Sequence, residues 1–238
     1  MIEATLNMLS EAQQMRKFDY YWLCSGQDFP IRSPEQIIQY FTRYDGSNFL
    51  SLWPSYHYQN NHRDTHLDKR IRIDYPTWMM GRNIIQRIMK RFYIEMTGGW
   101  THTYKIFYRH DLFSKISFYF GPQWIAIHNS FLTWALSYLK RNPWYEEGYR
   151  RSLTPDESFF HTLFMMSPYA NTRRDYLHYI DWSTPRKDKP KNSPNTLLEE
   201  DYEKIISSPY LMARKFDINV DSKIIKLLQR NILDKHSI

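Results

Sequence analysis

Five places in this 238-residue chain hold side chains whose types and spacing could do chemistry. In CSGQDFP, Asp28 follows a small-residue break and precedes Phe-Pro, so a carboxylate able to accept hydroxyl hydrogen bonds is offered at a turn. A plain turn-forming Asp fits the same residues. In TPDESFF, Glu157 stands three residues after Thr154 with Pro155 between them, the pattern of a helix start in which Thr and Glu cap one another. In ARKFD, Lys215 is a compact cation, although a lone lysine is usually a solvated surface charge. His57, His62 and His66 include a spacing of four that suits a metal, but no third ligand is marked by a recognisable motif. Trp124 in GPQW offers a ring that can stack on a sugar or fill a core.

Composition narrows the partners. Thirty-two Lys and Arg against twenty-five Asp and Glu give a formal charge of +7, which favours anions: phosphates, acidic sugars, nucleic acid or a lipid surface. No helix-turn-helix, finger or RNA-binding signature accompanies that charge, so nucleic acid is not expected. The single Cys24 excludes an internal disulfide and a cysteine-cluster metal site, and is compatible with a reducing cytosol. The opening MIEATLNMLSEAQQ lacks the pattern of a secretion signal, and no stretch reaches the roughly 20 apolar residues of a spanning helix. The expectation is a cytoplasmic chain whose membrane contact, if any, is peripheral. Aromatic residues at 17% suit either a ring-rich core or a cleft that stacks sugars.

The elements that must hold these groups follow from periodicity and turn chemistry. Ile2, Leu6, Leu9 and Met15 mark a first helix; Asp19 to Cys24 reads as a strand; Ser33-Pro34-Glu35 starts a capped helix running through Tyr44. Asn48 to Trp53 is a short strand, and residues 54–74 form an irregular insert. Arg82 to Phe92 is a basic amphipathic helix, expected to bury Ile84, Ile85, Ile88 and Met89 in the core, although such a helix can also lie on anionic lipid. Gln123 to Ile127 is a buried strand, followed by a helix on Phe131, Leu132, Ala135, Leu136 and Leu139 and by another from Thr154 to Met166. A proline-broken basic linker spans 186–194, a last strand covers Tyr210 to Ala213, and a terminal helix carries Ile224, Ile225, Leu227 and Leu228. Alternating strands and helices predict one α/β domain over residues 1–238, with Asp28 and the RKFD turn both at strand ends, where sites gather in such sheets.

Four stretches in order, YYWLCSGQDFPIRS, GPQWIAIHNSFLTWAL, TPDESFFHTLFMMSPY and ARKFDINVD, span residues 20 to 221 and resemble the core-2/I-branching enzyme family of glycosyltransferases. That family includes branching N-acetylglucosaminyltransferases and peptide O-xylosyltransferases. The resemblance implies a GT-A-like fold, a mixed sheet flanked by helices, and an inverting transfer of N-acetylglucosamine or xylose from a UDP-sugar to a glycan or protein hydroxyl. Such a transfer needs a base for the hydroxyl proton and cations for the departing diphosphate. On the family pattern Glu157 is the base, Lys215 meets the donor diphosphate, the turn projects Asp28 towards the donor sugar, and the YYWL strand is internal to the sheet. Trp124 stands in a position associated with the substrate cleft, on the acceptor side. No Asp-x-Asp occurs in the chain, so no metal is expected, and the UDP-sugar is a co-substrate with no other cofactor.

The pattern is not followed everywhere. Where the family often carries Arg in the strand after the Glu helix, LHYIDW offers His178, only partly charged near neutrality, with Arg173 or Arg174 as substitutes. Pro122 follows Gly121 where Ser is frequent, and Gln123 stands where some xylosyltransferases have an acid, which favours another sugar. The match also implies that the chain starts inside the domain, without the first units that carry much of the nucleotide-base pocket. The alternative reading is a non-catalytic relative that binds carbohydrate or polyphosphate.

Overall fold

The computed structural model describes residues 2–53, 71–74, 76–81, 83–107, 116–150, 152, 154–183 and 193–234. The three histidines at 57, 62 and 66, most of the insert at 54–74 and most of the linker at 186–194 lie outside the described residues. In chain order the elements are α1 (Ile2–Met15), β1 (Tyr20–Trp22), β2 (Asp28–Pro30), α2 (Pro34–Arg43), β3 (Asn48–Phe49), α3 (Thr77–Met80), α4 (Ile84–Met96), α5 (Trp100–Phe107) and β4 (Ala126–His128). They continue with α6 (Asn129–Arg141), α7 (Pro143–Tyr149), α8 (Phe159–Met165), β5 (Arg173–Arg174), β6 (His178–Ile180), α9 (Tyr202–Ser207), β7 (Met212–Arg214) and α10 (Lys223–Asp234). Two compact units result: one from residues 1–19, 51–123 and 129–171, the other from 20–50, 124–128 and 172–238.

Among the described residues the second unit holds all seven strands, in two sheets of order β1-β4-β3-β5 and β2-β7-β6. Both are mixed, since β3 runs parallel to β5 and β6 parallel to β7 while the other pairs are antiparallel. The expected α/β character is thus present, divided between two small sheets. β1 is an edge strand of the described sheet, not the internal one expected, although its Tyr20 and Trp22 do pack inward with Phe41 and Phe49. Helix α2 begins as read: Ser33 accepts from the Gln36 N–H at 3.3 Å while Gln36 Oε1 accepts from the Ser33 N–H at 3.1 Å, and Pro34 occupies the first turn.

Alternation along β7 decides what each face of the second sheet carries. Ala213 faces a core of Ile31, Leu197, Ile205, Phe216, Ile224 and Leu228, joined by Phe29 of β2 and Tyr179 of β6. Residues paired across a sheet share a face, so Arg214, paired with Asp28, points to the side opposite Ala213, and the parallel register puts His178 on that side as well.

The first unit is helical. α6 presents Phe131, Leu132, Ala135 and Leu139 as the periodicity requires, and Tyr145, Tyr149, Phe159 and Phe164 complete a core of rings. Buried tyrosines need hydroxyl partners: Tyr145 donates to the Phe159 carbonyl at 2.8 Å, and the Tyr149 hydroxyl meets Ser158 Oγ at 3.1 Å.

Two expectations fail in this unit. α4 does not bury Ile84, Ile85, Ile88 or Met89; its half-buried positions are Gln86, Lys90, Tyr93 and Ile94, because Tyr93 supplies the ring that packs on Trp78 at 5.2 Å and Phe107 at 6.0 Å. The helix expected from Thr154 to Met166 is broken into a 3-10 turn at Pro155–Glu157 and α8. Thr154 has φ 47° and ψ 50°, a left-handed conformation that does not offer its hydroxyl to the helix, so the capping box is not formed.

Candidate active site

The turn between β1 and β2 draws Asp28 inward. Leu23 N–H donates to the Ile125 carbonyl at 2.9 Å, extending the β1–β4 pairing, and Asp28 N–H closes the turn on the Ser25 carbonyl at 3.1 Å. Ser25 then donates from its N–H to Asp28 Oδ2 at 2.7 Å and from its hydroxyl to Oδ1 at 3.1 Å. Phe216 N–H donates to the Gln27 carbonyl at 2.9 Å, which ties the ARKF segment to the same turn. The Asp28 side chain is 1% exposed, so the expectation of an acid projecting from a turn is corrected: it opens a strand and faces protein.

Around this carboxylate three of the four stretches that resemble the family meet, through Asp28, Trp124 and Arg214. Arg214 Nε lies 3.6 Å from Asp28 Oδ1, and His178 Nε2 lies 3.6 Å from Oδ2. Both distances are longer than hydrogen bonds. The Arg214 guanidinium lies over the Trp124 ring, 3.5 Å from its centroid, and the His178 ring sits 5.6 Å from both Trp22 and Trp124. Burial pushes the Asp28 carboxyl up, but the His178 imidazole, the Ser25 N–H and the Arg214 charge outweigh it and hold Asp28 below its ordinary value. Burial lowers the Arg214 guanidinium, and Asp28 counters that loss. His178 is fully buried, and among the described residues neither of its ring nitrogens has a hydrogen-bond partner; the same holds for Nε and Nη1 of Arg214.

Lys215 follows Arg214 directly and is half-buried, with its ammonium donating to Ser193 Oγ at 2.9 Å and its carbonyl accepting from Leu197 N–H at 2.9 Å. The substitutes considered for the missing arginine are exposed and engaged locally: Arg174 stacks on Tyr44 at 4.1 Å and Arg173 meets Asp175 at 3.3 Å.

Cys24, Asp28 and His178 bring a thiol, a carboxylate oxygen and an imidazole nitrogen within 4.8 Å of one another, a set of ligand types that a divalent ion accepts. The surroundings oppose a cation there. Arg214 already places a full positive charge beside the carboxylate, and the Cys24 thiol is pushed up to about 11, first by desolvation and then by the Asp28 charge, although the residue's edge reaches solvent.

Of the residues singled out in the sequence, Asp28, Trp124 and His178 come together, with Lys215 next in chain to their partner Arg214. Arg214 was missed: in an extended strand, neighbours 214 and 215 diverge, and nothing local says that 214 faces an acid. Glu157 belongs to the first unit. It sits in the 3-10 turn, half-buried, with its carbonyl accepting from Gly121 N–H at 2.9 Å and its N–H donating to Thr154 at 3.2 Å. Gly121 can approach so closely because it lacks a side chain: an added Cβ would lie 2.0 Å from the Ser51 carbonyl oxygen and 2.5 Å from His161 Nε2.

The family model described as "Core-2/I-Branching enzyme" matches residues 1–206. Xylosyltransferase 1 of Rattus norvegicus is 25% identical over 228 residues, covering 87% of this chain and 24% of the rat protein. A xylosyltransferase of Ciona intestinalis is 24% identical over 254 aligned residues, covering 96% of this chain and 25% of its own length. The chain therefore spans about a quarter of the length of these curated relatives.

Proposed function

Because the chain belongs to the Core-2/I-branching enzyme family, whose fold is GT-A-like, we propose that it carries an inverting, metal-independent glycosyl transfer from a UDP-sugar to a glycan or protein hydroxyl. The observation that carries this reading is the buried polar group of Asp28, His178 and Arg214 on Trp124, with Lys215 adjoining. Arg214 and Lys215 together bring two cations beside the one carboxylate of Asp28, so a net positive charge is left for an anionic ligand.

In the proposed reaction the acceptor oxygen attacks the anomeric carbon from the face opposite the diphosphate, its proton passes to the Glu157 carboxylate, and the carbon–oxygen bond to the diphosphate breaks. Lys215 and Arg214 would offset the charge that develops on the leaving group, the task a divalent ion performs elsewhere. Asp28 and His178, both buried, would serve the donor site from behind, Asp28 by keeping Arg214 oriented. Trp124 has given a ring face to Arg214, so it would meet an acceptor sugar with its remaining surface. The donor is N-acetylglucosamine or xylose; the relatives named xylosyltransferase add weight to xylose.

The test is turnover of UDP-xylose and UDP-N-acetylglucosamine with peptide and glycan acceptors, with and without a chelator. Glu157→Gln is expected to cut turnover by about 10²- to 10⁴-fold while donor binding persists. Full turnover in that variant would end the assignment of the base, and loss of turnover with the chelator would end metal independence. Donor or sugar binding without turnover in the parent chain would favour the non-catalytic reading.

A further inference from the structure

α4 is amphipathic, and it is mounted with its apolar side outward. Ile84, Ile85, Ile88, Met89, Phe92 and Met96 recur at the spacing of one helix face, and all are exposed, Ile88 at 62% and Phe92 at 65%. Single exposed apolar residues are ordinary; six on one stripe of a helix mark a surface that is covered in use.

Charge beside the stripe says by what. A groove of about 430 Å³ runs along its edge, lined by Arg87, Lys90, Arg91, Ile94 and Trp100. Lys90 lies 5.1 Å from the Trp100 ring centroid, and Arg91 meets Glu95 at 3.2 Å, an exposed pair that yields readily to a competing anion. Three cations and one carboxylate thus border an apolar stripe, with an indole ring among them. A water-soluble protein partner would need its own apolar patch and acids; a phospholipid leaflet presents acyl chains and anionic phosphates at that separation by its nature.

We propose that α4 docks this chain on an anionic phospholipid surface. The isoleucines and Phe92 enter the boundary between headgroups and acyl chains, and Arg87, Lys90 and Arg91 meet lipid phosphates, their long stems lying along the apolar edge. The docking is independent of the proposed transfer, since it uses none of the residues assigned to it.

Co-sedimentation of the full chain with vesicles tests this. Vesicles of phosphatidylcholine with phosphatidylserine are expected to take up the protein, pure phosphatidylcholine to take up about tenfold less, and added salt to erode the difference. Ile88→Ser with Phe92→Ser is expected to lower uptake at least tenfold with an unchanged melting temperature, because both side chains are already in water. Arg87→Gln with Arg91→Gln is expected to bring uptake by the mixed vesicles down to that of the neutral ones. No uptake by either vesicle, uptake indifferent to the Ile88 and Phe92 changes, or self-association in sedimentation equilibrium that those changes abolish in place of vesicle binding would each overturn the proposal.

Discussion

Asp28 and Arg214 form a pair in which each makes the other tolerable. The carboxylate has two Ser25 donors and the guanidinium an indole face, yet the charges themselves are buried and 3.6 Å apart. Removing one partner leaves the other desolvated and unpaired, which costs far more than the intact pair contributes. Asp28→Asn is therefore expected to lower stability by about 3 kcal/mol or more, read from denaturant unfolding, and Asp28→Asn with Arg214→Gln to recover part of it. A double-variant loss equal to the sum of the losses in Asp28→Asn and Arg214→Gln alone would show that the two charges are not coupled. The acid itself was legible in SGQDFP; its burial was not, because the inward pull comes from Ser25 and from a register partner at the far end of the chain.

At the scale of elements, the turn that carries Glu157 depends on Gly121. Its N–H holds the Glu157 carbonyl, and its missing side chain leaves room for the Ser51 carbonyl and the His161 ring. Gly121→Ala forces a backbone shift in a packed site, with an expected loss of about 1–3 kcal/mol and, on the proposed function, a fall in turnover larger than any change in donor affinity. A stable variant with unaltered turnover would show that the turn does not need this approach. Elements were legible where the signal is local: the Ser33 cap with Pro34, and the apolar spacing of α6. The capping pattern at Thr154 misled because a backbone in the left-handed region cannot use it, and the stripe of α4 misled because periodicity reports an apolar face without saying which side meets the body of the unit.

Across the molecule, acid sensitivity falls on His161. It is fully buried in α8, and burial depresses its pKa from 6.5 to about 3, an effect that the Pro122 carbonyl only partly offsets. Above pH 6.5 the imidazole is neutral in both folded and unfolded chains and stability does not depend on it. Below that value the unfolded chain takes up a proton that the folded chain refuses, so stability falls by about 1.4 kcal/mol per pH unit towards pH 3. Asp28, whose pKa is held low, adds to the loss only below the ordinary carboxylate range. Unfolding between pH 6.5 and 4 is expected to show this slope in the parent chain and to lose it in His161→Leu; a slope unchanged by the substitution would assign it elsewhere.

By itself the sequence determined the positive charge, the capped and amphipathic helices, and the ordered stretches that place the chain in its family, because composition, turn chemistry and motif order belong to neighbouring residues. Only the tertiary structure decided that Asp28 meets Arg214 and His178, that Trp124 serves as the bed of a guanidinium, and that the apolar side of α4 faces outward. Those outcomes depend on strand register and on which surface wins the packing, and both are set by residues distant along the chain.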